Sequence, residues 1–255
     1  MKRSINEREM PFLDHLEELR WRIIKSLVFI IIGMIICLFF SQRILDFLIY
    51  PTTQLSVPLD LQVLKIQSMF VIKLEVGFFG GIVLGLPFIL YQAWMFIAPG
   101  LLPTERRYFI PLIFFSTLLF LAGVGFAYIV ILPLAMDFFI GLVSEEIRAN
   151  IALDFYIGFV LRILVLFGAV FELPILSYFL SKIGLLTPAL MRKFRRHAIV
   201  LIFVVAAIVT PPDIITQILL GIPLILLYEF SIFISKMVEN NRKKKELDES
   251  SEKTD

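Results

Sequence analysis

The chain has 255 residues, a net charge of +2 at pH 7, 59% apolar residues and only 18% charged ones, with 26 phenylalanines. A mean hydropathy of +0.90 is more apolar surface than a soluble domain of this length needs, so the composition excludes an ordinary soluble protein and points to a polytopic helical membrane protein. A single cysteine, Cys37, excludes an intrachain disulfide framework or cysteine cluster, and two histidines, His15 and His197, leave little for a metal site.

In chain order, the N-terminal residues mix Glu7, Glu9 and Asp14 with basic ones and lead into an apolar run too long for a signal-peptide core. No cleavable signal peptide is expected. Pro11 suits a first helical turn, and Phe12, Leu16, Leu19 and Ile23 recur at helical spacing. Residues 10–22 therefore read as an amphipathic helix at the membrane interface, leading into the first span. Apolar runs follow at 23–40, 76–98, 108–136, 155–181, 198–209 and 214–228. The first four suit a hydrocarbon core of about 30 Å at about 1.5 Å of rise per residue. The last two are short and are separated only by Thr210, Pro211, Pro212 and Asp213, which predicts a short helical hairpin. Pro87, Pro133 and Pro174 predict kinks. Gly77, Gly81 and Gly85 make one stripe where a neighbouring backbone can approach closely.

Nineteen of the 24 Lys and Arg residues fall in the N-terminal segment, the loop around Arg106, the 182–196 loop and the C-terminal segment. By the positive-inside rule these face the cytoplasm. Both termini are then inside and the spans are even in number. The expectation is an all-α membrane protein of six transmembrane helices, the last two short. Residues 1–238 form its membrane domain, and 239–255 form a cytoplasmic tail that composition reads as disordered.

Three features could carry function. Glu18 and Arg22 stand at i, i+4, which suits either a binding surface or a plain helical salt bridge worth about 0.3–0.5 kcal/mol. Glu105-Arg106-Arg107 lies in a short loop stiffened by Pro99 and Pro103, and reads as a solvated turn or as a carboxylate site. Glu172 is an ionisable group at membrane depth, where insertion costs roughly 2.5–3.5 kcal/mol. It serves either a function or the structural role of bonding a neighbouring helix.

Together these residues carry a resemblance. His15-Leu16-Glu17-Glu18-Leu19-Arg20-Trp21-Arg22, Ala98-Pro99-Gly100-Leu101, Glu105-Arg106-Arg107, Phe171-Glu172-Leu173-Pro174, Thr210-Pro211-Pro212-Asp213 and Gln217 closely resemble, in this order, the motifs of the TatC family. Pro51 in the first outer loop also matches. That family is the multi-spanning receptor of the twin-arginine protein translocase. The resemblance implies binding of twin-arginine signal peptides at the cytoplasmic face, with Glu18 and Glu105 as primary contacts. Leu19, Arg20, Arg22, Arg106 and His15 would shape that surface. It implies a partner contact at Glu172, and an outer cap and hairpin held by Pro51, Phe70, Asp213 and Gln217. Glu17 departs from the apolar residue common at its position and competes with Glu18 for the assignment.

The implied partners are TatA- and TatB-type single-span proteins, folded precursors bearing signal peptides, and the bilayer, in an oligomeric complex of the bacterial inner membrane. No cofactor, metal or nucleic acid is implied, and no catalytic residue. An intramembrane enzyme would need a Ser/His, paired-Asp or His/Glu constellation at one depth, which the sequence lacks. An ion-coupled transporter using Glu172 and Arg162 is the alternative. Against it, those two residues lie roughly 15 Å apart along a helix, and no internal repeat of the transporter kind is visible. Glu75 and Arg162 receive no role.

Overall fold

The computed structural model describes residues 12–54, 60–97, 109–142, 150–210 and 213–252. Helix α1 (Phe12–Phe39) is followed by α2 (Ser41–Ile49), a 3-10 turn (Tyr50–Gln54), strand β1 (Asp60–Gln62) and α3 (Ser68–Ile97). Helix α4 (Phe109–Phe126) passes through a π turn (Ala127–Ile131) into α5 (Leu132–Gly141). Strand β2 (Asn150–Ala152) precedes α6 (Leu153–Phe171), α7 (Leu173–Lys182), α8 (Pro188–Val209) and α9 (Ile214–Glu252).

Five stretches among the described residues are long and apolar enough to cross a membrane: Asp14–Phe39, Ser68–Phe96, Ile110–Gly141, Leu153–Lys182 and Ile214–Lys244. The sixth crossing of the all-α membrane fold is α8. Arg192, Lys193, Arg195 and Arg196 occupy its first half, so only 198–209 is uncharged, about 18 Å of helix. Thr187 caps its start by accepting the Leu190 amide at 3.2 Å, with Pro188 in the first turn. Helix α9 is longer than the uncharged run suggests. Glu229 ends that run in sequence, but it pairs with Arg195 of α8, and the apolar stretch continues beyond it.

Helix α1 runs unbroken from Phe12 to Phe39, so the 10–22 segment, where described, continues directly into the first span. Helix α9 continues to Glu252 through residues that composition reads as disordered. Good helix formers and pairs such as Glu239–Lys243, at 2.7 Å, sustain it without an apolar face.

The prolines act as their chemistry dictates. Pro174 lacks the N–H that would bond the carbonyl of Val170, and the helix breaks at Glu172 between α6 and α7. The Glu172 carbonyl starts the next helix by accepting the Leu176 amide at 2.9 Å. Pro133 follows the π turn, whose wider ring absorbs the interruption.

The core gathers around α6. Tyr156, Ile157, Val160, Ile163, Leu164 and Phe167 are all buried there against Ile72 and Val76 of α3, Ile131 and Leu132, and Leu220 and Leu224 of α9. Helix α1 lies outside this core and is held by α3 through the glycine stripe. A Cβ on Gly81 would lie 2.5 Å from the Ile30 carbonyl oxygen and 2.7 Å from the Met34 nitrogen, while one on Gly33 would meet Gly81 backbone at 3.0 Å. Only paired glycines permit that approach. Phe29 stacks on Phe88 beside the crossing, with ring centres 4.2 Å apart.

On the outer side the two long loops are tied together. β1 and β2 pair in parallel, with Asp60, Leu61 and Gln62 opposite Asn150, Ile151 and Ala152. Tyr128 Oη donates to the Phe47 carbonyl at 2.6 Å, and Tyr156 Oη to the Leu48 carbonyl at 2.9 Å. Tyr156 is buried, so Tyr156→Phe leaves that carbonyl without its partner. The variant should lose about 1–3 kcal/mol, read as an earlier unfolding midpoint in detergent, whereas the more exposed Tyr128→Phe should lose less.

Candidate functional site

Helical periodicity places His15, Glu18, Leu19 and Arg22 on one face of α1, and this face packs on α3 at the cytoplasmic end. Leu16 and Ile23, of the apolar face, are 45% and 51% exposed. In a bilayer the apolar side of a helix can turn to lipid, and the polar side is then what needs protein contact.

The polar side makes a connected cluster. Arg22 Nε donates to Glu18 Oε1 at 2.9 Å, and Arg22 Nη2 donates to the same oxygen. Arg22 Nη1 reaches Gln92 Oε1 of α3 at 3.3 Å. The His15 ring stacks on Phe96, with centres 4.2 Å apart and planes 13° apart, and its Nδ1 lies 3.7 Å from Glu18 Oε2. Glu18 Oε2 is buried and has no hydrogen-bond partner among the described residues. The carboxylate therefore has one oxygen committed to Arg22 and the other beside His15 without a hydrogen bond. Glu17 and Arg20 sit on exposed faces of α1, which separates Glu17 from this cluster. Glu105 and Arg106, the other half of the expected surface, lie outside the described residues.

Gln92 and Phe96 belong to the cluster but were not singled out from sequence. Gln92 had a signal: it is the polar residue in an apolar run and lies about one turn below the loop.

The second feature is Glu172, 8% exposed at the α6–α7 break. Its polar neighbour is the buried hydroxyl of Ser116 on α4, and no ion pair reaches either carboxyl oxygen among the described residues. Arg162 lies elsewhere. It is exposed, its Nε bonds the Gly158 carbonyl at 2.9 Å, and it lines a groove with Glu75, Phe78 and Ile208 that does not include Glu172.

The remaining expected positions lie toward the outer face. Pro51 is buried in the 3-10 turn, whereas Phe70 is 67% exposed on the first turn of α3 and does not pack into the cap. Asp213 caps α9 through the Thr216 amide at 2.7 Å and its hydroxyl. Gln217 Nε2 crosses to the Phe203 carbonyl of α8 at 2.8 Å. The Pro211-Pro212 turn lies outside the described residues.

Residues 14–223 match the family model of the Sec-independent protein translocase protein TatC. The chain belongs to the TatC family. A TatC protein of Aquifex aeolicus (strain VF5) is 42% identical over 240 residues, covering 93% of this chain and 99% of its own length. One from Helicobacter pylori (strain J99) is 39% identical over 236 residues, covering 92% of each. A crystal structure described as the twin-arginine translocase receptor TatC superposes with a TM-score of 0.82 at 41% identity, covering 88% of this chain and 99% of that one. TatC proteins are translocase components and not enzymes, and this one is a multi-pass protein of the bacterial inner membrane. The TatC match ends at residue 223, so the cytoplasmic half of α9 lies beyond it.

Proposed function

We propose that this protein is the receptor core of a twin-arginine translocase. Its cytoplasmic face binds the arginine pair of signal peptides through Glu18 and Glu105, and with TatA- and TatB-type partners it moves folded proteins across the membrane at the expense of the proton-motive force. The observation that carries this reading is the half-committed Glu18 carboxylate. A guanidinium is planar and delivers charge-assisted hydrogen bonds, and a desolvated carboxylate oxygen that lacks a hydrogen bond is its natural acceptor. Arg22 and Gln92 hold that carboxylate in place, so little side-chain freedom is lost on binding. One such contact at a water interface is weak, so the apolar segment of the signal peptide must supply further affinity along the spans. Glu172 would serve a later step, offering a polar contact to a single-span partner.

The test is binding of a fluorescent twin-arginine peptide to the purified protein, with a twin-lysine peptide as control. Glu18→Gln should weaken binding of the arginine peptide at least tenfold, about 1.4 kcal/mol. Photo-crosslinkers at Glu18 and Glu105 should both capture it. Equal affinity for the two peptides, together with unaltered binding by Glu18→Gln, would remove Glu18 from the site.

A further inference from the structure

Helices α3, α6 and α8 flank an open groove of about 790 Å³ where the outer end of the short hairpin meets two long spans. Its walls are apolar, with Phe78 and Ile82 from α3, Val165 and Ala169 from α6, and Val209 from α8. Two charges interrupt that surface, Glu75 of α3 and Arg162 of α6, and both are exposed along it. Arg162 commits Nε to the Gly158 carbonyl of its own helix at 2.9 Å, which leaves its two Nη groups to donate. No ion pair reaches Glu75 or Arg162 among the described residues. Lys73, two residues before Glu75, stands about 200° round the helix and is not among the residues lining the groove.

The two charges share one depth. Ser68 Oγ donates to Asp154 Oδ2 at 3.1 Å, which sets the outer ends of α3 and α6 level. Both helices run inward from there. Glu75 follows Ser68 by seven residues and Arg162 follows Asp154 by eight, about 10 Å and 12 Å along the axes. Helix α8 ends at the same level. Its uncharged part, 198–209, rises about 18 Å and so stops about 12 Å below the outer edge of a core about 30 Å thick. The polar backbone at a helix end is not left in hydrocarbon, so headgroups and water descend to meet it. Glu75 and Arg162 therefore stand at the floor of a local dip in the outer surface. From Glu75 to Ile82, and from Arg162 to Ala169, the apolar walls continue about 10 Å further inward.

We propose that this groove binds a zwitterionic phospholipid of the outer leaflet, with a primary ammonium on Glu75, the phosphate on Arg162 and one acyl chain along Phe78, Val165 and Ala169. Charge complementarity selects the occupant. An anionic headgroup would satisfy Arg162 but be repelled by Glu75, whereas a headgroup carrying both signs satisfies both. A quaternary ammonium has no N–H to give the carboxylate, so a primary amine is favoured. The lipid would neutralise two charges that are costly at this depth and fill the dip beside the hairpin. Nothing here depends on Glu18, because no residue of α1 is among those lining the groove.

The test is native mass spectrometry of the full-length protein from mixed micelles containing equal amounts of phosphatidylethanolamine, phosphatidylcholine and phosphatidylglycerol. The wild type should retain phosphatidylethanolamine about fivefold or more over each of the others. Glu75→Gln should erase the preference over phosphatidylglycerol, because it removes both the ammonium's partner and the repulsion. Arg162→Gln should lower retention of phosphatidylethanolamine by about fivefold or more. Each variant replaces an exposed side chain that bonds no other helix, so both should remain folded and monodisperse. Equal retention of the three lipids by the wild type, or an unchanged lipid profile in either variant, would overturn the proposal and leave two charges that snorkel to water. So would a photo-crosslinker at Phe78 in native membranes that captured a single-span protein instead of lipid. Binding of the twin-arginine peptide should be unchanged in both variants, which separates this result from the fate of the receptor reading.

Discussion

Gly81→Leu should abolish accumulation of the folded protein in the membrane, and Gly81→Ala should destabilise it measurably. The reason is the crossing of α1 and α3. Even a methyl group at 81 would stand 2.5 Å from the Ile30 carbonyl oxygen, and the obstacle is backbone, not the flexible end of a side chain. Relief requires moving a whole helix. Overpacking of a closed contact costs about 1–3 kcal/mol, and a leucine cannot be accommodated without separating the helices. The neighbouring position supplies the control. A Cβ on Gly85 would sit 3.6 Å from Phe29 and Ile30 backbone, an ordinary contact, so Gly85→Ala should be nearly neutral. Unfolding midpoints of the two alanine variants in one detergent give the comparison, and equal midpoints would contradict the close-crossing argument. The effect should also reach the cytoplasmic cluster. Helix α1 has few other anchors, and Arg22 meets Gln92 only if α1 and α3 keep their separation. Gly81→Ala should therefore weaken peptide binding more than its loss of stability alone would suggest.

That coupling shows which parts of the structure were legible in the sequence. The spans and their orientation follow from hydropathy and from the distribution of Lys and Arg, which are local properties. The glycine stripe was readable for the same reason, since 77, 81 and 85 share a helix face whatever surrounds them. What the stripe packs against was not readable. Nor was the pairing of β1 with β2, three residues each and far apart in sequence. Such short strands carry no alternation of their own, and only the tertiary fold brings them together. For residues 10–22 the spacing marked an apolar face but not which side of the helix would meet protein. Here Leu16 and Ile23 are exposed, while Glu18, Arg22 and the His15 ring face α3. The length of α9 was missed because Glu229 looked like the end of a span, and its partner Arg195 stands on another helix.

Glu172→Leu should make the isolated protein more stable and the translocase less active. A buried carboxyl group whose oxygens are incompletely hydrogen-bonded is a net cost to the fold, and replacing it by an apolar side chain of similar size removes that cost. Glu172 has no partner but the Ser116 hydroxyl beside it, too little to satisfy two buried carboxyl oxygens. A gain of about 1–3 kcal/mol follows, seen as a raised unfolding midpoint of the purified protein. Glu172→Gln keeps the polar group buried and should give little of this gain. If the carboxyl group exists to meet a partner within the membrane, both variants should bind the signal peptide normally, because the Glu18 cluster lies on α1 and α3. They should nevertheless export folded cargo poorly, the leucine variant worse. A leucine variant that is destabilised would mean that Glu172 holds the helices together in the isolated protein. One that is stabilised and fully active would leave the buried carboxyl group without a role in transport. The combination of greater stability with lower activity is what a site kept polar for a partner predicts.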